Sequence, residues 1–156
     1  MSLDQEVDAL RKVPLFSNIE PARLKLMAFA SERLVFKEGE RLFEQGDPGD
    51  AAYIILEGSA DVLVKSDGHE IRVATLKNNE IVGEIAILCD VPRTASVAAA
   101  EKLVTLKLTK ELFLRMAREF PDMALEIMRV LAHRLEQSTG SLRRVQQELD
   151  NLKKEA

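Results

Sequence analysis

The chain reads as an α+β domain in which an antiparallel β-roll, a double-stranded jelly roll, stands between short N-terminal helices and C-terminal helices, the last long and coiled-coil-like. Three observations predict this. Residues 1–31 and 109–156 place apolar side chains at helical spacing, and residues 32–108 alternate as half-buried strands do. Clusters of glycine, proline, asparagine and aspartate punctuate that central part. At 156 residues the chain can bury one real core and is expected to be a single domain, 1–156.

In residues 1–31, Leu10, Val13 and Leu15 lead into Phe16, and Ser17 is placed to cap a turn before Pro21. Leu24, Leu26, Met27 and Ala30 then follow at roughly helical spacing. The runs RLVF, RLFE, AYIILEG, ADVLVK, IRVATL, ASVAA and LVTLKL are expected strands, being β-branched or alternating. Breaks at 37–40, 46–50, 66–68 and 77–79 supply the turns, and strands at this spacing suggest a small barrel or jelly roll. One helix is expected over Lys110 to Arg118 and a long one from about Pro121, a residue suited to a first helical position.

The long helix carries a heptad. Met128, Leu135, Leu142 and Leu149 share one seam position; Leu131, Ser138, Val145 and Leu152 share the other. Seven of these eight are apolar, the pattern of a coiled coil, so a homodimer through this helix is expected. The alternative is a helix whose first half packs on the domain and whose remainder lies on the surface. Ser138 breaks the seam, followed by Thr139 and by Gly140, a residue that costs a helix interior about 1 kcal/mol relative to alanine.

A net charge of −4 argues against nucleic acid as the main partner. The first residues, MSLDQEVDALRK, are too polar for a signal peptide, and no apolar run reaches membrane-spanning length. A cytoplasmic chain without a membrane partner is therefore expected. Cys89 is the only cysteine, which excludes an internal disulfide and a cysteine cluster for a metal; it is expected to be small and apolar, buried or half-exposed. His69 and His133 stand in unrelated contexts and are expected on the surface. An enzyme is not expected: no set of residues offers metal ligands, and no nucleophile has a partnered base.

The most informative run is GEIAILCDVPRTASV, Gly83 to Val97. Gly83 lets backbone approach a ligand closely. The N–H groups of Ile85 and Ala86 stand at the start of a helical turn, where an anion is favoured. Arg93 offers a planar fork of donors for two phosphate oxygens. Glu84 only accepts when ionised, so it suits a ribose hydroxyl and repels phosphate. Together these residues fit a small cyclic phosphodiester. A structural Glu84–Arg93 ion pair without any ligand is the plainer alternative.

The run, with VPLFSNI before it and FKEGERLFEQGDPGDAAYIILEGSADV in the roll, resembles the cyclic nucleotide-binding domains of catabolite activator proteins, kinase regulatory subunits and cyclic-nucleotide-gated channels. The resemblance implies that Glu84 takes the ribose 2′-hydroxyl, that Arg93 takes the cyclic phosphate, and that Gly83, Ile85 and Ala86 complete the anion site. Thr94 and Ser96 are further hydroxyl candidates. Val82 departs from the family, which often has phenylalanine there. Set beside catabolite activators, Ser138 and Thr139 fall where consecutive hydroxyls reach the base, one from the partner subunit, which favours cyclic AMP. Thr94, directly after the arginine, keeps cyclic GMP as the alternative, since several guanine-selective members have threonine there. Ligand capture is expected to draw the closing helices over the base. No helix-turn-helix, kinase or channel segment follows the long helix, so the effector is unassigned, and dimer contacts or a longer polypeptide are expected to carry the output.

Overall fold

The computed structural model describes residues 2–155, apart from the side chain of residue 15, so the expectation placed on Leu15 lies outside the described residues. Helix α1, Leu3–Arg11, opens on a capping box in which Ser2 and Gln5 satisfy each other's backbone N–H, and it buries Val7 and Leu10. A 3-10 turn at Pro14–Phe16 leads to α2, Pro21–Ala30. Ser17 caps the end of that 3-10 turn, ahead of Pro21 as expected, with its hydroxyl donating to the Pro14 carbonyl, and Glu20 holds the N-cap position of α2. Leu24, Met27 and Ala28 of α2 are buried, whereas Leu26, expected in the same stripe, faces solvent.

Eight strands follow: β1 Glu32–Phe36, β2 Arg41–Phe43, β3 Ala51–Glu57, β4 Ser59–Ser66, β5 His69–Lys77, β6 Ile81–Val82, β7 Ser96–Ala99 and β8 Leu103–Thr109. They form two antiparallel sheets ordered β1-β8-β3-β6 and β2-β7-β4-β5. Seven strands lie on the expected runs. The eighth, β6, is two residues long and too short to show alternation. A short helix α3, Glu84–Cys89, interrupts the roll, and α4, Lys110–Glu119, and α5, Pro121–Glu155, close the chain.

Strand β3 shows how the roll carries its helices. Ala51, Tyr53 and Ile55 point between the sheets and pack with Val82, Val97, Ala99 and Leu103. Ala52, Ile54 and Leu56 point outward, under a second core that includes Leu10, Phe16, Leu24, Phe113, Met123 and Ile127. One sheet is thus apolar on both faces, which explains an unbroken apolar run where half-buried alternation was expected. The long helix splits in the same way. Met123 and Ile127 are buried and Leu131 packs against the helical core, while Met128, Leu135, Leu142, Val145, Leu149 and Leu152 remain exposed in the protomer. No helix is long and apolar enough to cross a membrane among the described residues.

Candidate functional site

The stretch from β6 to β7 is shaped by two close backbone approaches. Gly83 lies at φ +93°, and a Cβ there would stand 2.7 Å from Arg93 Nη1 and 3.0 Å from the Ala51 carbonyl oxygen, so only glycine fits. A Cβ on Gly49 would fall 2.3 Å from the Ala86 Cβ, so the loop before β3 lies directly on the first turn of α3. Helix α3 ends at Asp90, in left-handed backbone. Cys89, its last residue, is exposed rather than buried or half-exposed, because it lies on the solvent side of a helix only six residues long.

Arg93 is fixed through its backbone and its side chain. Its N–H donates to the Asp47 carbonyl at 2.8 Å, and its carbonyl accepts from Gly46 N–H at 2.9 Å. Arg93 is 3% exposed. Nη1 donates to the Gly83 carbonyl at 2.8 Å and Nη2 to the Ala51 carbonyl at 2.6 Å, while the ring of Phe43 lies 3.9 Å from Cζ. Nε has no hydrogen-bond partner. Burial lowers the Arg93 pKa from the usual arginine value, opposed by Tyr53 and then by the carboxylates of Asp50, Asp47 and Glu84. The nearest of these contacts is long: Asp50 Oδ1 stands 3.9 Å from Nη2 and is itself exposed. The cation is therefore held by neutral carbonyls and only weakly compensated.

Glu84, 4% exposed, does not pair with Arg93. Its carboxylate accepts from Arg134, which reaches down from α5 and also donates through Nη2 to the Ile81 carbonyl at 3.2 Å. A purely structural Glu84–Arg93 bridge is thus absent from the ion pairs among the described residues. Arg134 was not singled out by the sequence. It stands immediately before a seam residue of the heptad, where a charge is ordinary in a coiled coil.

A cavity of about 90 Å³ brings Gly83, Glu84, Ile85, Ala86, Arg93 and Thr94 together beneath Arg134. Thr94 is at its exposed rim. Ser96 is not in it: the hydroxyl is buried behind the wall, accepting from Gln45 N–H at 2.8 Å and donating to Glu44 at 3.3 Å. Arg134 also borders a second, wider groove of about 1240 Å³ between α5 and strand β5, where Ser138 and His133 lie. Thr139 borders neither space, and its hydroxyl donates to the Leu135 carbonyl of its own helix at 2.9 Å.

The site is also joined to α4. Lys110 donates its backbone N–H to the Asp50 carbonyl at 2.9 Å and its Nζ to Asp90 at 3.3 Å. The first residue of α4 is therefore tied both to the loop that faces Arg93 and to the end of α3.

This geometry has counterparts. The regulatory subunit of the cAMP-dependent protein kinase of Blastocladiella emersonii is 36% identical over 114 residues, 72% of this chain and 28% of that protein. The chain spans about a quarter of the length of such curated relatives. Among solved structures, the catabolite activator protein of Thermus thermophilus is 30% identical with a TM-score of 0.76, over 85% of this chain and 62% of that one. The regulatory subunit of a cAMP-independent protein kinase A from Trypanosoma brucei is 26% identical with a TM-score of 0.67, over 82% of this chain and 51% of that one. The sequence model of the cyclic nucleotide-binding domain matches residues 33–120. Since that match takes in more than half of the chain, including α3, Arg93 and the strands that position them, the chain belongs to the cyclic nucleotide-binding domain family.

Proposed function

We propose that this chain is a cyclic nucleotide sensor, preferring cyclic AMP, that binds its ligand without turnover and repositions its C-terminal helices on binding. One observation carries the reading. Arg93 is a buried cation with an unpartnered Nε, held by carbonyls rather than by a close carboxylate, and it borders the cavity that Glu84 also lines. A buried charge whose nearest carboxylate stands as far off as 3.9 Å is costly, and an anionic phosphate supplies a closer partner. The Trypanosoma relative is described as cAMP-independent, so family membership alone does not carry this step; the arginine and the glutamate do.

In this reading the phosphate lies on Arg93 and the N–H groups of Ile85 and Ala86, with Gly83 keeping the approach open. The ribose 2′-hydroxyl donates to Glu84, whose carboxylate Arg134 orients. At about 90 Å³ the cavity takes only that end of a nucleotide, so the base extends past Arg134 toward Ser138 in the wider groove. Ser96 positions the wall instead of touching ligand. Thr139 completes the base contact from a second copy, and the exposed leucines of α5 form the dimer seam. Thr94 at the rim is the observation that favours cyclic GMP as a second reading.

Thermal unfolding with cyclic AMP, cyclic GMP and 5′-AMP tests the proposal. A ligand at a hundred times its dissociation constant stabilises by about 2.7 kcal/mol, a midpoint shift of roughly 5–10 °C for a chain of this size. Cyclic AMP is expected to give the larger shift and 5′-AMP little. The absence of a shift with both cyclic nucleotides, in protein freed of bound nucleotide, would refute the sensor, and a larger shift with cyclic GMP would reverse the base preference. For the dimer, sedimentation of Leu135→Asp should show half the parental mass; an unchanged mass removes the seam.

A further inference from the structure

Strand β2 is irregular where it reaches Arg93. Arg41 pairs with Ala98 and Phe43 with Val97, so three residues of β2 stand opposite two of β7. In a regular strand Leu42 and Phe43 would point to opposite sides. Here both pack against the inter-sheet cluster that holds Val97 and Tyr53. A bulge re-aims a side chain, and this one brings the ring of Phe43 over the guanidinium, its centre 3.9 Å from Cζ. The ring is itself held in a row of aromatics: Tyr53 lies 6.1 Å from it, and Phe36 lies 6.3 Å from Tyr53.

Hydrogen bonds alone leave the guanidinium one freedom. The Gly83 and Ala51 carbonyls hold Nη1 and Nη2, and two points fix only an axis. The flexible stem of the side chain adds no rigid third point, so the planar group could rock about that axis and carry Nε with it. A flat ring against its face removes the freedom. Phe43 and Arg93 border the same cavity of about 90 Å³, so the ring sets how the unpartnered Nε–H lies relative to that space. The residues after Phe43 complete the grip: Gly46 N–H donates to the Arg93 carbonyl, and the Asp47 carbonyl accepts from Arg93 N–H. One short segment thus fixes both the backbone of the arginine and its plane.

We infer that Phe43 is a positioning residue for anion capture, acting through Arg93 by stacking on its guanidinium and fixing its plane toward the cavity. The choice of a ring has a chemical reason. A carboxylate in that place would neutralise Arg93, and an incoming phosphate would have to displace it. A π-face stabilises the buried cation in the free chain and leaves its charge for the ligand. As far as the ligand is a cyclic nucleotide, this role rests on the sensor reading; the stacking itself belongs to the free chain.

The test uses the whole chain. Calorimetry with cyclic AMP compares the parent with Phe43→Leu, which stays apolar without a ring, and with Phe43→Tyr, which keeps the ring. The leucine variant should lose about three- to thirtyfold in affinity, and the tyrosine variant should stay within about twofold of the parent. Phenylalanine fluorinated in steps at position 43 weakens the charge of the ring face at nearly constant shape, so affinity should fall with each fluorine even if leucine loosens the roll. NMR of the Arg93 Nε–H reads the same grip without ligand: rotation of the guanidinium should be slow in the parent and faster in Phe43→Leu. Unchanged affinity in Phe43→Leu, an equal loss in Phe43→Tyr, or indifference to fluorine would overturn the inference, the last two by leaving only packing. Slow rotation that persists in Phe43→Leu would overturn it as well. A parent that takes up no cyclic nucleotide, while guanidinium rotation still quickens in Phe43→Leu, would instead sink the sensor reading and leave the positioning role standing.

Discussion

The roll and the long helix hold their charged residues in opposite ways. In the roll, Arg93 is fixed by main-chain carbonyls of Gly83 and Ala51 and by loop residues Gly46 and Asp47, all set by the sheets. On α5, Arg134 reaches Glu84 from a helix whose outer face is solvent. One half of the site is therefore built into a closed core, and the other half depends on where α5 lies. The difference separates two properties. In the proposed sensor, anion capture falls to the roll and closure over ribose and base to the helix.

Three measurements would break or sharpen that division. The largest effect is expected from Arg93→Ala, which removes the cation from its buried cradle; losing one partner of a buried charged contact costs about 2–5 kcal/mol, or roughly 30- to several-thousand-fold in affinity. Calorimetry with cyclic AMP reads it, and near-parental affinity would place the anion elsewhere. A smaller loss is expected from Arg134→Ala. It leaves the Glu84 carboxylate buried without a partner, and because Arg134 is partly exposed the cost in thermal stability is about 1–3 kcal/mol. A cycle with Glu84→Gln should recover most of that loss, and additive effects would show that the two residues act independently.

The smallest effect concerns β5, whose residues Val73 to Leu76 line the wider groove. Arg41 on β2 donates to both carboxylate oxygens of Glu70 on β5, at 2.9 and 2.5 Å. The hydrogen bond from Arg41 holds the Glu70 carboxyl below its ordinary 4.5. A lowered folded pKa means stability that is present above about pH 4.5 and is lost as pH falls through the folded value. Parent and Glu70→Gln should thus differ slightly in midpoint at pH 7 and converge at strongly acid pH. A difference that persists there would deny the pair its role.

The roll was legible because strands and turns leave local marks: runs of Val, Ile and Leu, and turn pairs such as Asp67–Gly68 in the β4–β5 hairpin. Gly83, Glu84 and Arg93 were legible because one short run holds all three. What stayed hidden is what comes from far along the chain. Arg134 stands 50 residues from Glu84, and Gly49 meets Ala86 through a contact no local spacing reveals. Leu26 and Leu24 look alike in sequence; only the packing of α1 and the roll decides which of them is buried. Ser96 sits within the Gly83–Val97 run, yet its hydroxyl turns to Gln45 because β7 lies inside the roll and pairs on both sides.

The 35 residues of α5 make an unbroken rod of about 52 Å at 1.5 Å per residue, seated on the domain mainly near its first turns. A rod anchored at one end is a lever. A rotation of about 10° at Phe120 would carry its far end through roughly 9 Å over that length. Displacements too small to disturb the packing around Met123 and Ile127 are thereby magnified several-fold at Leu149 and Leu152, so the distal leucines are where movement at the nucleotide site would be easiest to read.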